Sequence, residues 1–130
     1  MYYKKLITLL VIAGMIFFGV AAVRAPLQKD RNLKVLPADI SDQKLDSIMK
    51  AYNIALGVDC KFCHSPFPNM PDSLNYPLDT NPMKESARSM MRMMIMINKS
   101  YFNFYPEQRP EYLNTVHCKT CHRGEPIPAD

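Results

Sequence analysis

Two five-residue segments of this chain share one pattern of thiols and imidazole. They are Cys60-Lys61-Phe62-Cys63-His64, the first pentad, and Cys118-Lys119-Thr120-Cys121-His122, the second pentad. Two thiols three residues apart can form thioether bonds to the two vinyl groups on one edge of a single haem. The histidine that follows can direct its imidazole at the iron, which commonly takes a proximal histidine. Cys-x-x-Cys-His is the c-type haem attachment signature, so the sequence predicts two covalently bound haem c groups.

The pentads use all four cysteines and two of the three histidines of the chain. His117, the third histidine, directly precedes the second pentad and is too close to it to reach the distal face of the same haem. It could bind the iron of the other haem or contact a propionate. A hydrogen-bonded or exposed side chain is the default for such a histidine, although histidine is a common metal ligand.

A methionine opposite the histidine would complete each iron site and raise its reduction potential. Met49 lies eleven residues before Cys60 and is the methionine that shortly precedes the first pentad. A helix from Met49 to Gly57 rises about 12 Å at about 1.5 Å per residue, which is about the width of a porphyrin. Methionine is also a routine filler of apolar cores, but the pentad that follows favours Met49 as a ligand.

Several methionines precede the second pentad, and their spacing alone does not choose among them. Met90 is central on the expected apolar face of its helix, and Met93 lies at the edge of that face. The candidates are Met90, Met91, Met93, Met94 and Met96. A methionine-rich helix suits packing on a haem whichever sulfur binds.

Two amphipathic helices are expected to position these ligands. The first begins near Ser41, capped by Ser41 or Asp39, and ends at Gly57. Its apolar face comprises Leu45, Ile48, Met49, Tyr52 and Leu56. The second begins with Asn81 as cap and Pro82 at its first position, and runs to about Phe104. Its expected apolar face comprises Met83, Ala87, Met90, Met94, Ile97 and Tyr101, and its wet face Lys84, Glu85, Arg88 and Arg92.

The proline-rich segment 65–82 and the segment 105–117 are expected to be loops without strands. No part of the chain shows clean period-two alternation. The predicted fold is therefore all-α, with little or no sheet. It consists of two units of methionine helix, loop and pentad packed on haems, preceded by an N-terminal apolar helix.

Residues 1–25 are predicted to be a cleaved export signal or a membrane anchor. Lys4 and Lys5 precede eighteen uncharged residues, 6–23, which can just span a bilayer. Val20-Ala21-Ala22 could instead serve as a cleavage site. Both alternatives place the remainder on the periplasmic side of the inner membrane, or in the periplasm after cleavage. Residues 26–38 are expected to be a polar linker, and residues 39–130 the dihaem domain.

The charge balance indicates no nucleic-acid partner. The formal net charge is +4, and removing Lys4, Lys5 and Arg24 from the 16 basic side chains leaves 13 against 12 acidic ones. Residues 25–130 therefore lack the basic surface that nucleic-acid binding requires. The expected partners are redox proteins or a larger electron-transfer complex, and no small-molecule substrate is expected.

Four segments resemble the cytochrome subunit of photosynthetic reaction centres, over roughly residues 36–128. They are Ile48 to His64, Ala87-Arg88-x-Met90-x-x-Met93, Ile97-Asn98, and Val116 to Gly124. The resemblance implies helices parallel to the haems and His/Met ligation, with Met49 as distal ligand of the first haem. It favours Met90 over Met93 for the second. Reaction-centre members of the family have four haems, whereas this chain has two pentads.

The favoured hypothesis is an exported dihaem cytochrome c that transfers single electrons and is not an enzyme. One alternative is a small dihaem peroxidase, which needs an iron with an open or displaceable ligand. Another is a non-haem module in which the cysteines bind zinc or form local disulfides. That alternative leaves the histidine after each cysteine pair unexplained.

Overall fold

The computed structural model describes residues 2–22 and 31–128, and these residues are mostly helical. The residues from Arg31 onward form one compact unit, and the N-terminal helix belongs to another. The elements in chain order are α1 (Tyr2–Ala22), α2 (Asp42–Leu56), a 3₁₀ turn at Cys60–Phe62, β1 (Pro66–Phe67), β2 (Met70–Leu74), α3 (Pro82–Tyr101), a 3₁₀ turn at Pro110–Tyr112, and α4 (Cys118–His122).

The N-terminal segment is described from residue 2 to residue 22. Among the helices in residues 2–22 and 31–128, none has both the length and the apolar character needed to cross a membrane. Residue 1 and residues 23–25 of the expected signal or anchor lie outside the described residues. The assignment of residues 1–25 to export therefore stays a prediction.

Helix α2 begins and ends where its sequence predicts. The Ser41 hydroxyl accepts a hydrogen bond from the Lys44 amide at 3.2 Å, which caps the N-terminus. Gly57 ends the helix with φ +64°, and its amide donates to the Asn53 carbonyl. The predicted apolar face packs inward, because four of its residues contact the buried cluster of Leu36, Ile40 and Met91; they are Leu45, Ile48, Met49 and Tyr52.

Residues 31–38, expected to be the end of a polar linker, instead belong to the compact unit. Leu36 is buried, as is Ile40 just beyond, and Leu33 and Val35 pack against them. The physical reason is that the apolar face of α2 has to be covered. This apolar segment supplies the cover, so the compact unit includes residues 31–38.

The proline-rich segment after the first pentad forms a small hairpin, so the prediction of a strand-free loop was wrong there. Strands β1 and β2 pair antiparallel, with Pro66 opposite Leu74 and an irregularity between Pro66 and Phe67. A two-stranded sheet consists only of edge strands, and proline is tolerated at an edge because no neighbour needs its missing N–H. The Asn75 amide extends the pairing by donating to the Ser65 carbonyl at 2.9 Å.

Helix α3 starts as predicted and ends three residues earlier than expected, at Tyr101. The Asn81 side chain accepts a hydrogen bond from the Met83 amide at 3.0 Å, and Pro82 occupies the first turn. The predicted faces of α3 were partly wrong. Lys84 and Arg88, expected on the wet face, are buried, whereas three residues of the expected apolar face are exposed: Met83, Met90 and Tyr101.

The loop between β2 and α3 explains why two cations lie inside the fold. The Lys84 ammonium donates to the carbonyls of Tyr76, Pro77 and Leu78 at 2.7, 3.0 and 2.8 Å. It also pairs with Asp79 at 2.8 Å, and the Arg88 guanidinium pairs with the same carboxylate at 3.0 Å. Buried charges of this kind are stable only when paired and hydrogen-bonded. The loop thus covers this face of α3, whereas the Met90 side is exposed among the described residues.

Asp79 is expected to make the stability of the fold depend on acid pH. Hydrogen bonds from Lys34, then Lys84 and Asn32, hold the pKa of this carboxyl far below its usual 3.8. A depressed folded-state pKa adds stability above the unfolded-state pKa, and that stability is lost as the pH falls through and below about 3.8. Asp79→Asn should therefore be less stable than the unmodified chain at neutral pH.

Denaturant unfolding at about pH 7, 4 and 3 measures this effect. The stability difference between the unmodified chain and Asp79→Asn should shrink as the pH falls. Asp46→Asn is the matched control, because Asp46 pairs with Lys50 on the exposed side of α2. An unchanged difference at all three pH values would show that Asp79 does not act through its charge.

Candidate functional site

The residues predicted to hold the first haem line one cleft in the structure. Met49 from α2 lies in its wall, together with Cys60, Cys63 and His64. The lining of the cleft is largely apolar, as is usual for cofactor and ligand sites. Its residues therefore suit an apolar group that carries a metal.

The end of α2 and the turn after it place the first pentad. Gly57 reverses the chain, and the Asp59 carboxylate caps the following turn by accepting from the Lys61 amide at 3.0 Å. The amides of Cys63 and His64 both donate to the Cys60 carbonyl, at 3.4 and 3.0 Å. The two thiols and the imidazole consequently share one tight turn at the mouth of the cleft. Both thiols are free.

The His64 ring is half-buried and has an unsatisfied nitrogen. Its Nδ1 is buried and makes no hydrogen bond of normal geometry. The Tyr76 ring lies edge-on to it, with centroids 5.0 Å apart. Burial lowers the pKa of His64 and Lys84 lowers it further, the Tyr76 backbone raises it, and Arg88 adds a smaller lowering. A buried imidazole that is kept neutral has a lone pair available to a metal.

The second pentad forms the short helix α4. The amide and Nδ1 of His117 both lie within hydrogen-bond distance of the Thr120 hydroxyl, at 3.2 and 2.6 Å. His117 is therefore engaged as the N-terminal cap of α4. Its role as a ligand of the other haem, which the sequence left open, gains no support from this placement. Arg123 ends the helix with φ +55°.

The His122 ring has a defined tautomer. Its Nδ1 lies 3.0 Å from the Glu125 carbonyl oxygen. Because a carbonyl only accepts, Nδ1 must carry the proton. In the neutral ring this leaves Nε2 with a free lone pair. Nε2 is therefore the nitrogen of His122 that can bind iron.

Helix α4 packs on the end of α2, so both pentads lie against the same helix. The Gly124 amide donates to the Ala55 carbonyl at 2.9 Å, and Ala55 is buried. Burial raises the pKa of Tyr52, with a smaller contribution from the neighbouring Cys118. The sequence predicted two consecutive units and did not reveal this contact. Its only local signal was a glycine beside each pentad, Gly57 before the first and Gly124 after the second.

A buried asparagine holds the chain that enters the second pentad. The Asn98 side chain donates to the carbonyls of Leu113 and Val116 at 3.2 and 2.7 Å, and accepts from the Val116 amide at 2.8 Å. Asn98 is fully buried, so water cannot replace these bonds. Asn98 is part of the resemblance to the cytochrome family, but the sequence did not predict these hydrogen bonds, because the partners lie 15 and 18 positions away.

Asn98→Ala should destabilise the fold by about 2–4 kcal/mol, since it leaves three buried backbone groups unsatisfied. Asn114→Ala is the control, because Asn114 is exposed on the same segment. Urea unfolding of both variants measures the difference. Equal midpoints for the two variants would contradict the positioning role of Asn98.

The candidate distal ligands of the second haem lie on α3. Met91 lines the first cleft, whereas Met90 and Met93 do not. Met90 is 50% exposed and Met93 is 45% exposed. Met91 is buried in the core, and Met94 is half-buried beside Tyr52. A contiguous exposed apolar surface commonly marks a binding site. The Met90–Met93 side of α3 is therefore a surface that a second haem could cover.

No three His, Cys, Asp or Glu side chains in residues 2–22 and 31–128 are grouped closely enough to hold a metal ion by themselves.

Comparison with known proteins connects these features to one family. The model of the photosynthetic reaction centre cytochrome c subunit matches residues 23–130. Cytochrome c-554 of Chloroflexus aurantiacus is 31% identical over 111 residues, which are 83% of this chain and 24% of that protein. The chain thus spans about a quarter of the length of this curated relative. No solved structure matches the chain significantly.

Proposed function

This chain belongs to the photosynthetic reaction centre cytochrome c subunit family, and on that basis we propose that it is a dihaem cytochrome c that transfers single electrons between redox proteins. When bound, each haem supplies an iron that takes up and releases one electron. The observation that carries the proposal is the cleft shared by Met49, Cys60, Cys63 and His64.

The first pentad holds its group through two kinds of bond. The thiols of Cys60 and Cys63 would each hold the haem by adding across one vinyl group, with the thiol hydrogen going to the neighbouring vinyl carbon. The His64 imidazole and the Met49 thioether would supply the two axial donor atoms to the iron. Leu36, Leu56 and Met91 line this site with apolar side chains, and such a lining limits the access of water.

The second haem would be held in the same way by Cys118, Cys121 and the Nε2 of His122. Met90, the first methionine of the Arg-x-Met-x-x-Met segment, would be its distal ligand. Two haems held against one helix would lie near each other, which suits electron transfer between them. The proposal has no open iron site, so the protein is a carrier rather than an enzyme.

Substitution of the α3 methionines tests the distal ligand. Met90→Leu should abolish the sulfur-to-iron charge-transfer absorption of one ferric haem and lower its reduction potential, because Met ligation raises the potential. Met93→Leu is the matched control, with nearly the same exposure on the same helix. Loss of the band in Met93→Leu with retention in Met90→Leu would reverse the assignment.

The proposal includes export by residues 1–25, which carry Lys4 and Lys5 before an uncharged apolar segment. Its domains are this export segment, a linker of residues 26–30, and the dihaem unit from residue 31. Cell fractionation with N-terminal sequencing tests it. The haem-containing chain should be periplasmic when cleaved, or on the periplasmic side of the inner membrane when retained. Haem-free chain confined to the cytoplasm would contradict export.

The electron-transfer role is tested by a reduced-minus-oxidised spectrum of the purified chain. We expect the α band of c-type haem, with low-spin signals from both irons. High-spin signals together with peroxide turnover would contradict six-coordinate His/Met ligation. Absence of the band would contradict haem binding altogether.

A further inference from the structure

The two pentad histidines differ in the hydrogen bond made by Nδ1. His122 donates from Nδ1 to the Glu125 carbonyl at 3.0 Å, whereas the buried Nδ1 of His64 makes no hydrogen bond of normal geometry within residues 2–22 and 31–128. A hydrogen bond from the non-ligating nitrogen raises the basicity of a histidine ligand. A more basic ligand stabilises the oxidised iron. By this criterion the second site should have the lower reduction potential.

The charges around the two pentads act in the same direction. Lys84 and Arg88 line the first cleft, with side chains only 10% and 8% exposed. The carboxylates that face these cations are more exposed, Asp79 at 34% and Glu85 at 57%. Solvent therefore screens the two negative charges more than the two buried positive charges. Lys34 and Arg92 add further positive charge to this group, and Asp59 at the cleft mouth is exposed.

The second pentad has no comparable buried cation among the described residues. Lys119 and Arg123 on and beside α4 are exposed, as is Glu125. Charges in contact with water act weakly beyond about 8–10 Å at physiological ionic strength. The positive field is therefore concentrated at the first cleft.

We propose that the haem of the first pentad has the higher reduction potential, and that Lys84 and Arg88 raise it as positioning residues that do not touch the iron. This inference rests on the proposed dihaem function. Oxidation adds a positive charge at the iron, and the nearby buried cations oppose that change. The Lys84 ammonium also occupies the Tyr76 carbonyl beside His64, which weakens that carbonyl as an acceptor for Nδ1.

A potentiometric titration of the full chain, followed in the visible spectrum, tests the order. We expect two one-electron steps that differ at least tenfold in equilibrium constant, which corresponds to about 59 mV. The Cys118→Ala/Cys121→Ala variant, which keeps the first pentad, should retain the higher step. Cys60→Ala/Cys63→Ala should retain the lower one. A single step in the unmodified chain, or the reverse assignment, would overturn the proposal.

Arg88→Gln tests the role of the buried cations. It should lower the higher step by at least threefold in equilibrium constant and leave the lower step in place, and Arg88→Lys should restore most of the loss. Lys50→Met is the control, since Lys50 is an exposed lysine of α2. If Arg88→Gln shifts both steps equally, or shifts neither, Arg88 does not selectively raise the reduction potential of the first haem. Should Arg88→Gln fail to fold, the titration of the unmodified chain and the cysteine variants still decides the order.

Haem content is measured on each sample before titration. A chain with fewer than two haems contradicts the proposed function. A two-haem chain with the opposite order contradicts this inference alone.

Discussion

Replacing Cys60 and Cys63 together by alanine is expected to remove one covalent haem and to destabilise the chain more than the same change at Cys118 and Cys121. The first cleft is walled by Leu36, Met49 and Met91, which belong to or pack against the main core. Loss of a large apolar group would expose this wall and leave a cavity that costs several kcal/mol, on the order of 24 cal/mol per Å³.

Denaturing mass spectrometry and thermal unfolding measure the two consequences. Each double variant should keep one haem, and the Cys60→Ala/Cys63→Ala variant should have the lower midpoint. Single cysteine variants serve as controls, because one thioether and the histidine can still retain the group. A double variant that keeps two covalent haems would contradict the attachment sites.

Gly57→Ala is expected to destabilise the fold by about 2–5 kcal/mol. Gly57 has φ +64°, a conformation that costs an L-residue about 1–2 kcal/mol. A Cβ at this position would also collide with the carbonyl oxygen of Gly124, and overpacking of this kind costs about 1–3 kcal/mol. The collision would push α4 away from α2, and with it the second pentad.

Gly124→Ala is the matched control for this prediction. Gly124 also has a positive φ, +101°, but a Cβ there would meet nothing within 4 Å. The destabilisation caused by Gly124→Ala should therefore come from the backbone conformation alone. Urea unfolding of the two variants separates conformation from contact, and equal losses would show that the α2–α4 approach is not tight.

Both boundaries of α2 and the start of α3 were predictable because the residues that fix them act locally. The capping hydrogen bonds join residues no more than four positions apart, and they are made by Ser41, Gly57 and Asn81. Pro82 occupies the first turn of α3. The pentads are local in the same sense, since one turn brings each pair of thiols beside its histidine. Membership of the cytochrome family, suggested by the resemblance, is confirmed by the family match.

The burial of Lys84 and Arg88 could not be predicted from helix periodicity. It depends on the carbonyls of residues 76–78 and on Asp79, which a separate loop brings over α3. Helix periodicity predicts that charged residues face the solvent, because it contains no information on partners from a separate loop. The same loop explains why the methionine side of α3 is left exposed.

The hairpin and the start of the compact unit were missed for related reasons. Strand pairing between Pro66 and Leu74 depends on backbone geometry at an edge, where the usual objection to proline does not apply. Leu36 was predicted to lie in a linker because the sequence does not show that it covers the apolar face of α2. The choice between Met90 and Met93 stays a prediction from resemblance, because both side chains are comparably exposed.

Intact mass under denaturing conditions tests the central claim most directly. The chain should be expressed with its own N-terminus in a host that attaches c-type haem. The account predicts the mass of the polypeptide, with or without residues 1–25, plus two haems. A mass equal to the polypeptide alone, or to the polypeptide plus one haem, would contradict it.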